Sequence, residues 1–211
     1  NFASKNSLAA VGSTTALVNL MTNLFLGLSV SVNVLTARFS GAGSKEKIQK
    51  TIHTAITLSV ICGLLLTLLG IIFAPQLLKL MNTPDNILRL SSTYLRIYFT
   101  GMIPMMVYNF GSSVLRSKGD TKRPLLYLSA AGVVNVILNL IFVIVLKMDV
   151  AGVGLATAIS QAVSAALIIN CLMKEEEAFR FSFKKIGLDI NITTAILKIG
   201  IPAGIQGVIF S

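Results

Sequence analysis

The side chains able to do chemistry inside this sequence are amides and hydroxyls. Asn135 and Asn139 stand four residues apart in an uncharged run, so a helix puts both on one face. Thr157 and Gln161 repeat that spacing one run later, Asn19 and Asn23 repeat it in the first run, and Asn109 stands alone in the third. Two neighbouring amides either offer carbonyl oxygens to a cation or hydrogen-bond an adjacent helix and hold it. Holding is the commoner use between apolar helices, and spacing alone leaves both open. Asn19, Asn23, Asn109 and Gln161 are expected to line a central cavity.

Other chemistry has little to work with. No Asp, Glu, Lys or Arg interrupts the long uncharged runs, which removes the usual intramembrane proton carrier or ion-pair partner. His53 is the single histidine and lies beside a basic connector, where an interfacial polar role is expected. One histidine without a carboxylate nearby supports neither metal hydrolysis nor acid–base catalysis. Cys62 and Cys171 fall inside apolar runs and read as small buried hydrophobes. Glu175-Glu-Glu177 reads as a solvated charge run at a helix end, and Met102, Met105 and Met106 as packing. The expectation is a protein that is not an enzyme and holds no cofactor or metal.

The elements that must carry those amides are set by hydropathy. The chain is 54% hydrophobic and 12% charged over 211 residues, with a mean hydropathy of +0.81. Soluble domains carry about a quarter charged residues, so lipid is the expected solvent. Charge-free runs cover residues 6–37, 51–78, 97–115, 125–146 and 150–173. A helix rising about 1.5 Å per residue crosses about 30 Å of hydrocarbon in roughly 20 residues, and each run is close to that or longer. The runs lack the alternation of a lipid-facing barrel strand and exceed its length. The fold class is therefore all-α: a polytopic transmembrane helix bundle of about five full spans, with residues 199–211 as the start of a sixth. The chain begins without Met and stops inside an apolar run, so a piece of a longer protein is expected.

The connectors alternate in charge. Those between spans one and two, three and four, and after span five hold thirteen of the 18 Lys and Arg, including Arg116, Lys118, Lys122 and Arg123. By the positive-inside rule that side is cytoplasmic. Residues 79–96, with Asn82-Thr83-Pro84-Asp85 as a turn, and the Lys147-Met-Asp149 turn become external. The net charge of +10 is thus assigned to membrane orientation, and no nucleic-acid partner is expected. Gly41-Ala-Gly43-Ser44 should end the first span, with Ser44 capping a short cytoplasmic helix. Pro124 is expected at the first helical position of its span. Residues 191–199 are expected to lie along the inner surface before Gly200-Ile-Pro202 turns the chain into the bilayer.

Taken in order, several segments resemble the multidrug and toxic compound extrusion (MATE) transporters. They are Leu8-Ala-Ala-Val-Gly-Ser13, Phe39-Ser-Gly-Ala-Gly43, Leu115-Arg-Ser-Lys-Gly-Asp-Thr-Lys-Arg-Pro124, Asn135-Val-Ile-Leu-Asn139 with Ile141-Phe142, Ala151-Gly-Val-Gly-Leu-Ala-Thr-Ala-Ile-Ser-Gln161, and Ile199-Gly-Ile-Pro202. Each is short, but the ordered set covers essentially the whole chain. The resemblance implies one lobe of a twelve-helix transporter, with residues 1–173 as helices two to six, 174–198 as a cytoplasmic inter-lobe linker and 199–211 as the start of the second lobe. It implies a plasma-membrane, multi-pass exporter (a bacterial inner membrane in particular) whose partners are membrane lipid, cationic or amphipathic small molecules, and sodium or protons in exchange.

In one branch of that family a first-lobe cation site uses a first-helix Asp, an Asn and an Asp four apart in helix five, and a Thr in helix six. Asn135 and Thr157 match two of these, and Asn139 stands where the helix-five acid would be. The resemblance thus makes Asn135, Asn139 and Thr157 the candidate ion-binding residues, in a site with one carboxylate fewer. Two other readings stay open: a lipid-linked oligosaccharide or lipid flippase of the same superfamily, and a membrane scaffold without transport.

Overall fold

The computed structural model describes residues 5–209. Within them the chain runs α1 (Lys5–Gly41), α2 (Lys45–Leu80), α3 (Asp85–Thr100), α4 (Met102–Ser117), α5 (Lys122–Asn139) with a π-helical continuation (Leu140–Val145), α6 (Asp149–Met173), two short 3-10 turns and α7 (Ile190–Ile209). There is no strand among the described residues, as expected. Four of the helices are long and apolar enough to cross a membrane: α1, α2, α5 with its continuation, and α6.

Helix α2 shows why lipid is the right solvent. One stripe, including Ile48, Ile52, Ile56, Leu66 and Leu78, is buried against the bundle. The opposite stripe, including Ile61, Leu64, Leu65, Leu68 and Ile72, is equally apolar and exposed. Apolar residues on both sides suit a helix packed on protein on one face and on hydrocarbon on the other. Met102 and Met106 are buried in the main core, so their packing role holds.

The third charge-free run, expected as one full span, is divided at Gly101 between α3 and α4, neither of which is among those four helices, and helix begins upstream of the run. Residues 85–96, assigned above to an external connector, are helical and form most of α3. Ile87, Ser91, Tyr94, Leu95 and Phe99 face inward at helical spacing, while Asp85, Arg89 and Arg96 point away, so charge does not exclude the segment from the bundle. A single residue, Gly101, separates α3 from α4. Pro104 explains the break, because it has no N–H for the Thr100 carbonyl and its ring crowds that oxygen.

Turn chemistry closes the end of the bundle that carries the basic connectors. Gly43 (φ 67) and Gly119 (φ 85) take the left-handed conformation that terminates α1 and α4. In both turns an N–H reaches back over the glycine, Ser44 to Phe39 at 3.0 Å and Asp120 to Leu115 at 3.1 Å. Ser44 stands at the start of α2 but makes no side-chain cap, and the helix it precedes is the whole span rather than a short one. Pro124 lies two residues into α5, still in the first turn where a missing donor costs nothing.

Helix α7 also departs from the expectation. Residues 190–209 form one helix through Gly200 and Pro202, with no separate surface segment. Asp189 starts it, its carboxylate accepting the Ile192 N–H at 3.1 Å. α7 lies against α1 at a backbone-to-backbone crossing, where a Cβ on Gly27 would overlap the Gly204 backbone.

Candidate functional site

The amides on α5 meet hydroxyls on α6. Asn135 Nδ2 donates to Thr157 Oγ1 at 3.4 Å and to Ser160 Oγ at 3.3 Å. Asn139 Nδ2 donates to Asn135 Oδ1 and to the Asn135 backbone carbonyl, both at 3.0 Å. Thr157 and Ser160 direct their own protons to the carbonyls of Val153 and Thr157, which leaves hydroxyl lone pairs for Asn135. The Asn139 Oδ1 is buried and has no hydrogen-bond partner. An orphaned buried carbonyl oxygen costs free energy, about 1–3 kcal/mol, unless something positive meets it. The π-helical turn opens at Leu140, directly after Asn139, so the helix is widened beside this oxygen.

A cavity of about 300 Å³ borders the cluster, lined by Asn135, Thr157, Ser160, Gln161 and Gly132 among others. Ser160 escaped the sequence reading, although its position three residues after Thr157 puts it on the same helical face. Gln161 belongs to this cavity.

A second, larger cavity of about 590 Å³ lies between α1, α4 and α7. Asn23 and Asn109 line it, together with Asn33, Ser113 and Arg116, which the sequence reading had not placed there. Asn33 lies ten residues after Asn23, roughly 80° round the helix, so spacing alone does not pair them and the packing brings both to this space. Asn19 is exposed and borders neither described cavity. The single central cavity expected from the amide pattern is therefore divided: Asn23 and Asn109 go to one space, Gln161 to the other.

At the end with the basic connectors, two expectations change. Glu175 is not a solvated charge: its side chain is 5% exposed and pairs with Lys118 at 2.6 Å and Arg123 at 2.5 Å. Burial pushes its carboxyl up, but the hydrogen bonds from Lys118 and Arg123 outweigh that and hold it below the ordinary value. His53 is buried, its Nε2 accepting the Ser182 N–H at 3.1 Å while its ring stacks on Phe181. The segment after α6 is thereby fastened to α2, and Gln49 adds a bond to the Arg180 carbonyl at 3.1 Å. These contacts bring the connector after α4, the start of α2 and the segment after α6 to one end of the bundle. Cys62 and Cys171 are free and buried as expected.

An all-helical bundle with lipid-facing apolar stripes and amide-lined spaces between its helices defines a multi-pass membrane protein. The MatE family model matches residues 1–141, and the chain belongs to that family. Among its relatives is the probable multidrug resistance protein YoeA of Bacillus subtilis, 27% identical over 98% of this chain and 46% of that protein. Another, the probable multidrug resistance protein YpnP of the same organism, is 31% identical over 94% of this chain and 44% of that protein. A solved MATE structure in the bent conformation superposes with a TM-score of 0.89 at 26% identity, covering 96% of this chain and 46% of that one. The chain thus spans about half the length of the relatives it matches.

Proposed function

We propose that the intact protein is a multidrug efflux transporter driven by exchange with a cation, and that the α5–α6 amide cluster is a cation site of this lobe. The observation carrying the reading is the buried, partnerless Oδ1 of Asn139 beside the Asn135 amide. With the Thr157 and Ser160 hydroxyls, it supplies the oxygen donors that a hard cation takes. Sodium suits this set better than a proton, because none of the four side chains titrates near neutral pH. The missing carboxylate makes the site weak, since neutral dipoles offset less of the ion's lost hydration than a charge would.

The multidrug character is supported by the names of the relatives, YoeA and YpnP both being described as probable multidrug resistance proteins. The test is Asn135→Ala in the intact protein. Sodium-driven efflux of a cationic dye should fall several-fold at unchanged membrane abundance. Unchanged efflux would return Asn135 to the role of fastening α5 to α6.

A further inference from the structure

The α1–α4–α7 cavity has a charge that the expected cationic substrates do not explain. Among the described residues lining it, Arg116 is the only charged one and none is a carboxylate. Arg116 stands in the last turn of α4. Its Nε reaches only the Ser112 carbonyl at 3.4 Å, on its own helix, and no ion pair to it occurs among the described residues. Of the other basic residues in that connector, Lys118 pairs with Glu175 and Arg123 with Glu175 and Asp120, while Lys122 has no ion pair among the described residues and does not line the cavity. Arg116 is thus left with its planar fork of donors at a cavity wall.

The rest of the lining continues the pattern. Asn23, Asn33, Asn109, Ser29 and Ser113 are neutral donors and acceptors, set among Leu26, Val30 and Val34. The Asn109 Nδ2 donates to the Met105 carbonyl at 2.8 Å, so its carbonyl oxygen is an acceptor for a solute's hydroxyl or N–H, away from the anion held at Arg116. A guanidinium beside neutral polar groups and apolar walls fits an amphipathic solute carrying a carboxylate or phosphate. Arginine binds such groups through two parallel hydrogen bonds. A bare cation would meet like charge at Arg116 and no counter-charge elsewhere on this wall.

We infer that the α1–α4–α7 cavity is a subsite for amphipathic solutes bearing a carboxylate or phosphate, with Arg116 as its anchor. This rests on the transport reading above in that the cavity is taken to be a substrate path. An anionic phospholipid headgroup offers the same chemistry, and the test separates the two.

The experiment uses the intact protein in nanodiscs of zwitterionic lipid and two dyes on one xanthene scaffold. Carboxyfluorescein is the anion, and tetramethylrhodamine methyl ester is the cation. Fluorescence anisotropy should show Arg116→Gln weakening carboxyfluorescein binding about tenfold, the scale of one charge-assisted pair. Cation-dye binding should change less than about twofold by the same reasoning. Arg116→Lys should recover part of the loss, which a misfolded variant cannot do. An equal loss for both dyes, or no loss for either, overturns the subsite. So does abolition of wild-type carboxyfluorescein binding by added phosphatidylglycerol, which would assign Arg116 to a lipid headgroup. Efflux in proteoliposomes separates this inference from its premise. Arg116-dependent binding without efflux of any dye would sink the transport reading and leave the subsite. Efflux indifferent to Arg116 would do the reverse.

Discussion

Asn139 gives both hydrogens' worth of bonding to Asn135, contacting its side-chain and backbone oxygens at 3.0 Å, and keeps its own Oδ1 buried without a partner. The two residues make different contacts. Asn135 reaches across to Thr157 and Ser160 and fastens α5 to α6. Asn139 orients Asn135 and presents the oxygen left over. On the proposed cation reading, the ion's first donor is the Asn139 Oδ1, an atom that the fastening of α5 to α6 does not use.

That division predicts the effect of restoring an acid. Asn139→Asp puts a carboxylate where the partnerless oxygen lies, so sodium should bind about tenfold more tightly at pH 8, or about 1.4 kcal/mol. The check is the sodium-dependent rise in thermal stability of the purified intact protein. The rise should exceed that of the wild type at pH 8 and shrink in acid as the new carboxyl protonates. A sodium response equal to wild type at pH 8 would remove Asn139 from the site.

The α1–α7 crossing predicts a packing effect. Gly27→Ala places a methyl group where the Gly204 backbone lies, and the Leu28 side of the contact is just as close, since a Cβ on Gly200 would come within 2.7 Å of the Leu28 Cα. The helices must separate, at a cost of about 1–3 kcal/mol. A lower melting temperature in detergent is expected, whereas Gly12→Ala, with open space around it, should keep or raise stability, alanine being the better helix former. Equal stability of Gly27→Ala and wild type would mean that the two helices do not cross there.

The buried carboxylate predicts an acid response. The folded-state pKa of Glu175 lies below its ordinary 4.5, so its stabilisation is complete above that value and is lost as pH falls through the folded pKa. Glu175→Gln should cost about 2 kcal/mol at pH 7, by losing hydrogen bonds to charged partners. The gap between variant and wild type should narrow below about pH 4.5. Melting curves at pH 7 and in the acid range measure it, and a gap independent of pH would show that the pairing with Lys118 and Arg123 is not what stabilises this end.

How much was legible depended on whether neighbours along the chain or across space decided the outcome. Hydropathy identified the spans, because a 20-residue apolar stretch has few places to go besides lipid. Helical spacing placed Asn135 and Asn139 on one face for the same local reason. Residues 85–96 hide their helix from a charge-based reading, because Asp85, Arg89 and Arg96 face outward while the stripe of Ile87, Ser91, Tyr94 and Leu95 shows its purpose only against neighbouring helices. The burial of Glu175 is invisible locally, because its partner Lys118 lies 57 residues earlier and meets it only in the folded chain.

What the sequence alone determined is the membrane-spanning helical bundle, its charge asymmetry and the positions of its amides, all of which follow from composition and a 3.6-residue period. The tertiary structure decided which amides share a space. Asn23 and Asn109 face a cavity walled by Arg116, whereas Gln161 joins Asn135 and Thr157 in another. That partition depends on which helices lie side by side. Helix adjacency is set by contacts such as Gly27 against Gly204, which are far apart in sequence and leave no local signature.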